Sequence, residues 1–359
     1  MAFRLQGIYG VMMLAMIGTP WAWAADEGAV KVVVPQRLPF ESAGARLQMP
    51  YASNYPIDRP NSRIDRVIVV VHGMERNADQ YLANVVLAAE QTYSSAARTL
   101  VIAPQFLLPA DVAAHKLGDD VLCWKDWADG DASQPPRGGK GEGISSFAVV
   151  DRFVELVTDK KVFPQLRRIV IAGHSAGGQF VNRYAAGNRW DGKLDKDRKI
   201  RARYVVANPS SYLYFNEERP VLDAKGKLAF AKPTDEKIKA CPGYNAYRHG
   251  LERLNPYMEA TGADNLRAQY AQREVIYLLG TEDTDSNGPG LSKSCASMLE
   301  GTTRLERGQF YYAYLRHFFG PEISSRHRLQ LVPGAAHSSR QMFTSPAGVP
   351  CLFEATAQQ

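Results

Sequence analysis

The sequence predicts an α/β fold in which a mostly parallel central sheet of about eight strands carries helices on both faces. Three observations lead there. Continuous β-branched runs, Arg66 to Val71 above all, have the composition of strands buried on both faces. These runs alternate with helical stretches rather than with each other. One of them, Arg168 to Gly173, enters the turn Gly173-His174-Ser175-Ala176-Gly177 and continues as a helix.

Taken in order, the chain opens on an export-like leader. Met1 to Arg4 supply a positive start, Ile8 to Ile17 an apolar core too short to span a bilayer, and Ala22-Trp23-Ala24 a small-residue cleavage site. Residues 1–24 are therefore expected to be a signal peptide and 25–359 a single domain. A periplasmic or secreted protein follows, with no stable membrane anchor once the leader is removed. Lys31 to Pro35 and Arg46 to Tyr51 are expected as two short antiparallel edge strands. Arg66 to Val71 ends in His72-Gly73-Met74, and a helix over Asp79 to Gln91 leads to the next strand, Thr99 to Ala103.

Pro109 to Gly143, with its paired prolines and clustered glycines, is expected to be one long loop over the sheet's end. Its run Arg137 to Gly141 lacks the ending and the preceding strand of a phosphate cradle. The next helix, 144–157, sets Phe147, Val150, Val154 and Val157 on one side. After the helix Ala176 to Ala186, a strand at Arg203 to Ala207 stops at Asn208-Pro209. Residues 211–272, of mixed polarity and rich in tyrosine, form the cap or lid insertion between the sixth and seventh strands. Glu274 to Gly280 resumes the sheet, a helix from Arg304 to Phe319 stacks Leu305, Tyr312, Leu315 and Phe319 in one stripe, and Arg328 to Val332 is the last strand.

Composition excludes some classes of function. With 45% apolar residues in 359, the chain has ample core. The net charge of +6 is dispersed, since Lys193 to Arg203 interleaves with Asp195 and Asp197, which describes a solvated surface rather than a nucleic-acid groove. Four cysteines, Cys123, Cys241, Cys295 and Cys351, match no zinc spacing. In an exported protein they are candidates for two disulfides with three possible pairings. Our expectation is Cys241 with Cys295 and Cys123 with Cys351. Nothing in the sequence specifies an oligomeric state.

Chemistry concentrates at strand ends. A serine flanked at two residues on each side by glycine sits on a turn sharp enough to lift its Oγ clear of the sheet, which makes Ser175 the candidate nucleophile. A serine hydroxyl needs a base, and seven histidines compete. His337 follows the last strand through a Pro-Gly turn, whereas His317 and His327 come before that strand. His72 and His174 lie in tight turns where hydrogen bonding to the backbone is the expected role. For the acid, Asp283 stands three residues beyond Gly280, with Asp285 and then Glu282 as alternatives. A carboxylate there would accept the Nδ1 proton of His337 and set its tautomer. A rival exists, because Asp283-Thr284-Asp285-Ser286-Asn287-Gly288 copies the first half of a calcium loop. The twelfth position is Ser294 rather than glutamate, so no metal is expected.

His72-Gly73, Gly173 to Gly177, Gly280 to Asp283 and Gly334 to His337, in that order, together resemble the α/β-hydrolase superfamily over nearly the whole mature chain. Within it, the chain is most similar to secreted bacterial serine esterases of the polyhydroxyalkanoate depolymerase and feruloyl esterase kind. The resemblance implies a carboxylic ester hydrolase with the catalytic set Ser175, Asp283 and His337 and no cofactor. It also implies an oxyanion hole from the backbone N–H groups of Met74 and Ala176. A small-molecule or polymeric ester would be its substrate, with Phe106, Trp124, Trp127 and Tyr212 as candidate apolar wall or, equally, as packed core. A serine peptidase or amidase on the same scaffold, and a binding protein of this fold without turnover, are the alternatives.

Overall fold

The computed structural model describes residues 28–42, 44–92, 95–135 and 143–354. The expected leader, 1–24, and the glycine-rich run 137–141 lie outside the described residues. In chain order the strands are β1 (Gln36–Ser42), β2 (Ala45–Ser53), β3 (Arg66–Val71), β4 (Thr99–Pro104), β5 (Arg168–His174), β6 (Arg201–Ala207), β7 (Arg219–Leu222), β8 (Leu228–Ala231), β9 (Val275–Gly280) and β10 (His327–Val332). Eight of them form one sheet in the order β1-β2-β4-β3-β5-β6-β9-β10, and β7 and β8 pair as a separate hairpin. From β4 to β10 every neighbouring pair is parallel. Within that sheet only β1–β2 and β2–β4 run antiparallel.

The inner parallel strands β3, β4, β5 and β9 are covered on both sides, as their apolar runs require, while the edge strand β10 is partly exposed. Along β3, Val67, Val69 and Val71 face one core and Ile68 and Val70 the other, all fully buried. The helix α1 (Ala78–Glu90) covers the second face with Tyr81, Val85 and Ala88, beside the short helices Ser339–Thr344 and Gly348–Phe353. The first face is covered by α3 (Ser146–Val157), α4 (Ala176–Gly187) and the helices Ala263–Gln272 and Arg304–Phe319. Arginines at the strands' amino ends fasten the chain's last helix there: Arg66 donates to the Phe353 carbonyl at 2.7 Å and Arg203 to that of Cys351 at 3.0 Å.

Several expectations need correction. The first strand begins at Gln36 rather than Lys31. Residues 32 and 34 are held instead by one side chain, since Gln105 accepts from Val34 N–H at 2.9 Å and donates to the Val32 carbonyl at 2.8 Å. The long loop contains a short helix, α2 (Pro109–Ala114), started by Pro109 and capped by Asp111, whose carboxylate accepts from Leu108 N–H at 2.7 Å. The helix Arg304–Phe319 is rotated from the expected stripe: it buries Arg304, Arg307, Gly308, Tyr311, Tyr314 and Leu315, while Leu305, Tyr312 and Phe319 are only half-buried. Buried arginines and tyrosines whose polar tips find carbonyls, such as Tyr311 to Leu213 at 2.8 Å, do not register as apolar in a periodicity.

Residues 211–272 begin inside the core, with Tyr212 to Phe215 fully buried. They continue through β7–β8 and two short helices and end in Ala263–Gln272, which crosses back to β9. A disulfide joins Cys241 to Cys295, as expected, and fastens this segment to the chain beyond β9. The second expected pairing is wrong, because no disulfide links Cys123 to Cys351. Cys123 pairs with Leu107 just past the carboxyl end of β4, whereas Cys351 is buried in the helix Gly348–Phe353 at the strands' amino ends, so the length of the strands separates them.

Candidate active site

The turn after β5 is built by close approach. A Cβ on Gly173 would lie 2.1 Å from the Gly177 carbonyl oxygen, and one on Gly177 would lie 2.2 Å from that of Val71. Only glycine fits at either place, so α4 can dock against β3 and β5. Ser175, at the apex, takes φ 59° and ψ −121°, a left-handed conformation costly for a residue with a Cβ, and its N–H donates to the Ala207 carbonyl at 3.0 Å. The strain directs the side chain away from the sheet, where it is 9% exposed.

His337 arrives from the other end of the chain. After β10 the chain turns at Gly334, φ 70°, and passes directly over Gly280, where a Cβ would lie 2.4 Å from the Ala335 carbonyl oxygen. The Ser175 hydroxyl is 2.9 Å from His337 Nε2, and Nδ1 of the same ring is 2.7 Å from Oδ2 of Asp283. Asp283 is buried, while Asp285 and Glu282 are exposed. Asp285 instead accepts from Asn287 N–H at 2.8 Å, closing its own turn. Three residues distant from one another in sequence thus form one hydrogen-bonded chain. Among the described residues no group of histidine, cysteine and carboxylate side chains is arranged to hold a metal ion.

Buried groups around this chain keep it in place. His72 donates from Nδ1 to the Gly73 carbonyl at 2.8 Å and accepts at Nε2 from Phe106 N–H at 2.9 Å, which fixes its neutral tautomer. Burial pushes its pKa down to about 3. His174 departs from the expected backbone role: its Nδ1 meets the Tyr81 hydroxyl at 3.1 Å, and its ring packs 4.5 Å from that of His337. Burial first, and the nearby His337 second, hold its pKa well below the ordinary value. Ala176 heads α4, where the first N–H groups of a helix have no carbonyl behind them. Met74 follows Gly73, whose Cβ position is 3.5 Å from the Ser175 Cβ.

A pocket is lined among others by Met74, Trp127, Ser211, Arg248, His249 and Gln179, the last one turn along α4 from Ser175, to whose carbonyl its N–H donates at 3.0 Å. Of the four aromatic residues considered for its wall, Trp127 alone lines it. Phe106 and Trp124 are wholly buried behind it, Phe106 stacked on Trp127 at 5.4 Å and meeting Trp124 at 5.2 Å, while Tyr212 is buried against Tyr311 at 4.4 Å. The pocket's far side is charged. Arg248 bridges Asp126 at 2.6 Å and Asp129 at 2.5 Å, and Arg183 reaches Asp129 at 3.2 Å. Burial, aided by the neighbouring Asp129, raises the Asp126 carboxyl to about 7.

Two contributors escaped the sequence reading. Asn208, with φ 41°, donates to the Ala336 carbonyl at 3.4 Å and accepts from Gly280 N–H at 2.9 Å, linking the loops that carry His337 and Asp283. In the sequence, an asparagine between a strand and a proline signals only a stop. Arg304, fully buried, places Nη1 3.5 Å from Oδ1 of Asp283 and has no counterpart in hydropathy.

Comparison with known proteins agrees with this architecture. No protein-family model and no curated protein matches the chain. Among solved structures it is similar to poly(aspartic acid) hydrolase-1 from Sphingomonas sp. KT-1, at 25% identity and a TM-score of 0.54, covering 86% of this chain and 95% of that one. It is also similar to a poly(3-hydroxybutyrate) depolymerase from Bordetella parapertussis, at 19% identity and a TM-score of 0.52, covering 86% of each. The chain therefore has the α/β-hydrolase fold and resembles the esterase-like hydrolases built on it.

Proposed function

We propose that the protein is an exported serine hydrolase that cleaves carboxylic esters through an acyl-enzyme. The observation that carries this is the pair of contacts at His337, 2.9 Å to the Ser175 hydroxyl and 2.7 Å to the Asp283 carboxylate. As Oγ bonds to the ester carbon, its proton passes to Nε2 of His337, and Asp283 holds the ring and balances the imidazolium. The N–H groups of Ala176 and Met74 receive the oxyanion, each worth about 3 kcal/mol of barrier. The C–O bond to the alcohol then breaks and the departing oxygen takes the His337 proton. Water, deprotonated by the same ring, releases the acid and restores Ser175. This chemistry calls for no cofactor.

In this proposal 211–272 acts as the cap, and its contacts support that role. Tyr247 and Asn255 donate to the Asp129 carbonyl at 2.5 and 2.9 Å, tying the segment to the Trp127 loop around the pocket. Export is supported by the Cys241–Cys295 disulfide, a bond that persists in oxidising compartments. Among the described residues no helix is long and apolar enough to cross a membrane. Similarity to a hydrolase of poly(aspartic acid), an amide-linked polymer, favours a second reading in which the same serine attacks an amide.

A fluorophosphonate probe tests the proposal: the wild type should be labelled and Ser175→Ala should not. An inert wild type would instead favour a binding protein. Matched p-nitrophenyl esters and anilides of graded acyl length separate ester from amide cleavage.

A further inference from the structure

We propose that Arg304 is a positioning residue for the candidate acid: its guanidinium stands where the acidic loop would hold a cation, tethers Asp283, and offsets the charge that Asp283 presents to His337. This rests on the serine-hydrolase reading. The loop from Asp283 to Gly288 has the start of a calcium-site pattern, yet the chain fills it with cations of its own. Arg304 donates to the Pro289 carbonyl at 2.6 Å and pairs with Asp283 Oδ1 at 3.5 Å. Lys293 reaches the Ser286 carbonyl and lies 3.4 Å from Asn287 Oδ1. The guanidinium passes next to Gly288 and Gly290, whose Cβ positions lie 3.3 and 3.7 Å from its nitrogens. The next residue closes the arrangement, as Leu305 N–H donates to the Asp283 carbonyl at 3.2 Å.

Burial makes this placement expensive. Arg304 and Asp283 are 1% and 3% exposed, and Arg304 Nε has no acceptor among the described residues. A guanidinium held this way is costly unless its charge is balanced, and Asp283 is the carboxylate in contact with it. That carboxylate therefore divides its field: Oδ2 meets the imidazole and Oδ1 meets a permanent cation. An imidazolium formed at His337 as it takes the serine proton therefore gains less from an anion already shared with a fixed cation. Other groups bear on the same centre. His174 faces His337 from the end of β5 and is neutral, Tyr212 lies near Asp283, and Asp285 and Arg307 flank Arg304.

The test is the pH profile of fluorophosphonate labelling, read on folded protein as judged by near-ultraviolet circular dichroism. Arg304→Gln removes the charge. Its acid limb should move up by about one pH unit, the size expected for one elementary charge several ångströms away at an effective dielectric constant between protein and water. Arg304→Lys keeps the charge without the two-pronged donor, so its acid limb should stay while the plateau rate falls about tenfold. An unmoved limb in Arg304→Gln overturns the electrostatic role. An undiminished plateau in Arg304→Lys overturns the tether, and that arm stands if the glutamine variant does not fold. Absence of labelling in the wild type, or labelling that persists in Ser175→Ala, would instead refute the hydrolase reading itself.

Discussion

Asp283→Asn is the most informative single substitution, because its effect is large and an adjacent control exists. The carboxylate lies 2.7 Å from His337 Nδ1 and is 3% exposed, so solvent cannot replace it. An asparagine amide in that place can turn its NH2 toward the ring. Nδ1 then becomes the acceptor, Nε2 carries the proton, and the nitrogen facing the Ser175 hydroxyl can no longer accept from it. The loss expected of such a wrong tautomer is roughly a thousandfold to ten-thousandfold in rate, or about 4 to 5.5 kcal/mol of barrier at 1.36 kcal/mol per decade. The neutral amide would also leave the buried Arg304 unbalanced, a stability cost of about 3 to 5 kcal/mol. Rates must therefore be normalised to the folded fraction from a denaturant titration. Asp285→Asn is the control: the site is exposed, and an asparagine oxygen can still accept from Asn287 N–H, so the rate should change less than about twofold. Steady-state hydrolysis of an activated ester measures both. A near-normal Asp283→Asn beside a crippled Asp285→Asn would refute the assignment of the acid.

Other outcomes follow from the same contacts. Gly177→Ala forces a methyl to 2.2 Å from the Val71 carbonyl oxygen, so it should cost about 1 to 3 kcal/mol or more in urea unfolding and disturb labelling at Ser175. Replacing both Cys241 and Cys295 by alanine opens a loop of sequence separation 54 and should lower stability by up to about 4 kcal/mol in the chain-entropy limit. Burial holds His327 at about 4, below its unfolded value near 6.5, so the unfolded chain binds the extra proton between those values and stability is lost as pH falls through that window. From pH 6.5 to 5 this amounts to up to about 2 kcal/mol, and His327→Gln should remove that share of the slope in paired denaturant titrations. Trp127→Ala should change KM and acyl preference, whereas Trp124→Ala should appear first as about 3 to 5 kcal/mol of lost stability.

Much of the architecture was legible because its signals are local. A β-branched run such as Arg66 to Val71 can be buried on both faces in few ways, and the glycines around Ser175 declare a close approach whatever the rest of the chain does. The elbow and the strand ends were visible on that basis, whereas the Cys241–Cys295 pairing was one of three that the sequence left open. The turn of the Arg304–Phe319 helix was not, since hydropathy scores an arginine or a tyrosine as polar even where carbonyl oxygens of distant segments receive it.

Residue types at strand ends thus nominated Ser175, Asp283 and His337, because a nucleophile, an acid and a base each have a local chemical identity. Only the tertiary structure determined that Asp283, and not Asp285 two residues on, is the carboxylate turned inward to the imidazole. It alone decided that Trp127 lines the pocket with Phe106 and Trp124 packed behind it, that Tyr212 is buried against Tyr311, and that Cys123 and Cys351 sit at opposite ends of the strands. The physical reason is range. Backbone geometry is set by neighbours within a turn or two, whereas hydrogen-bond pairing, burial and the balance of buried charge depend on segments that meet only after the sheet has closed.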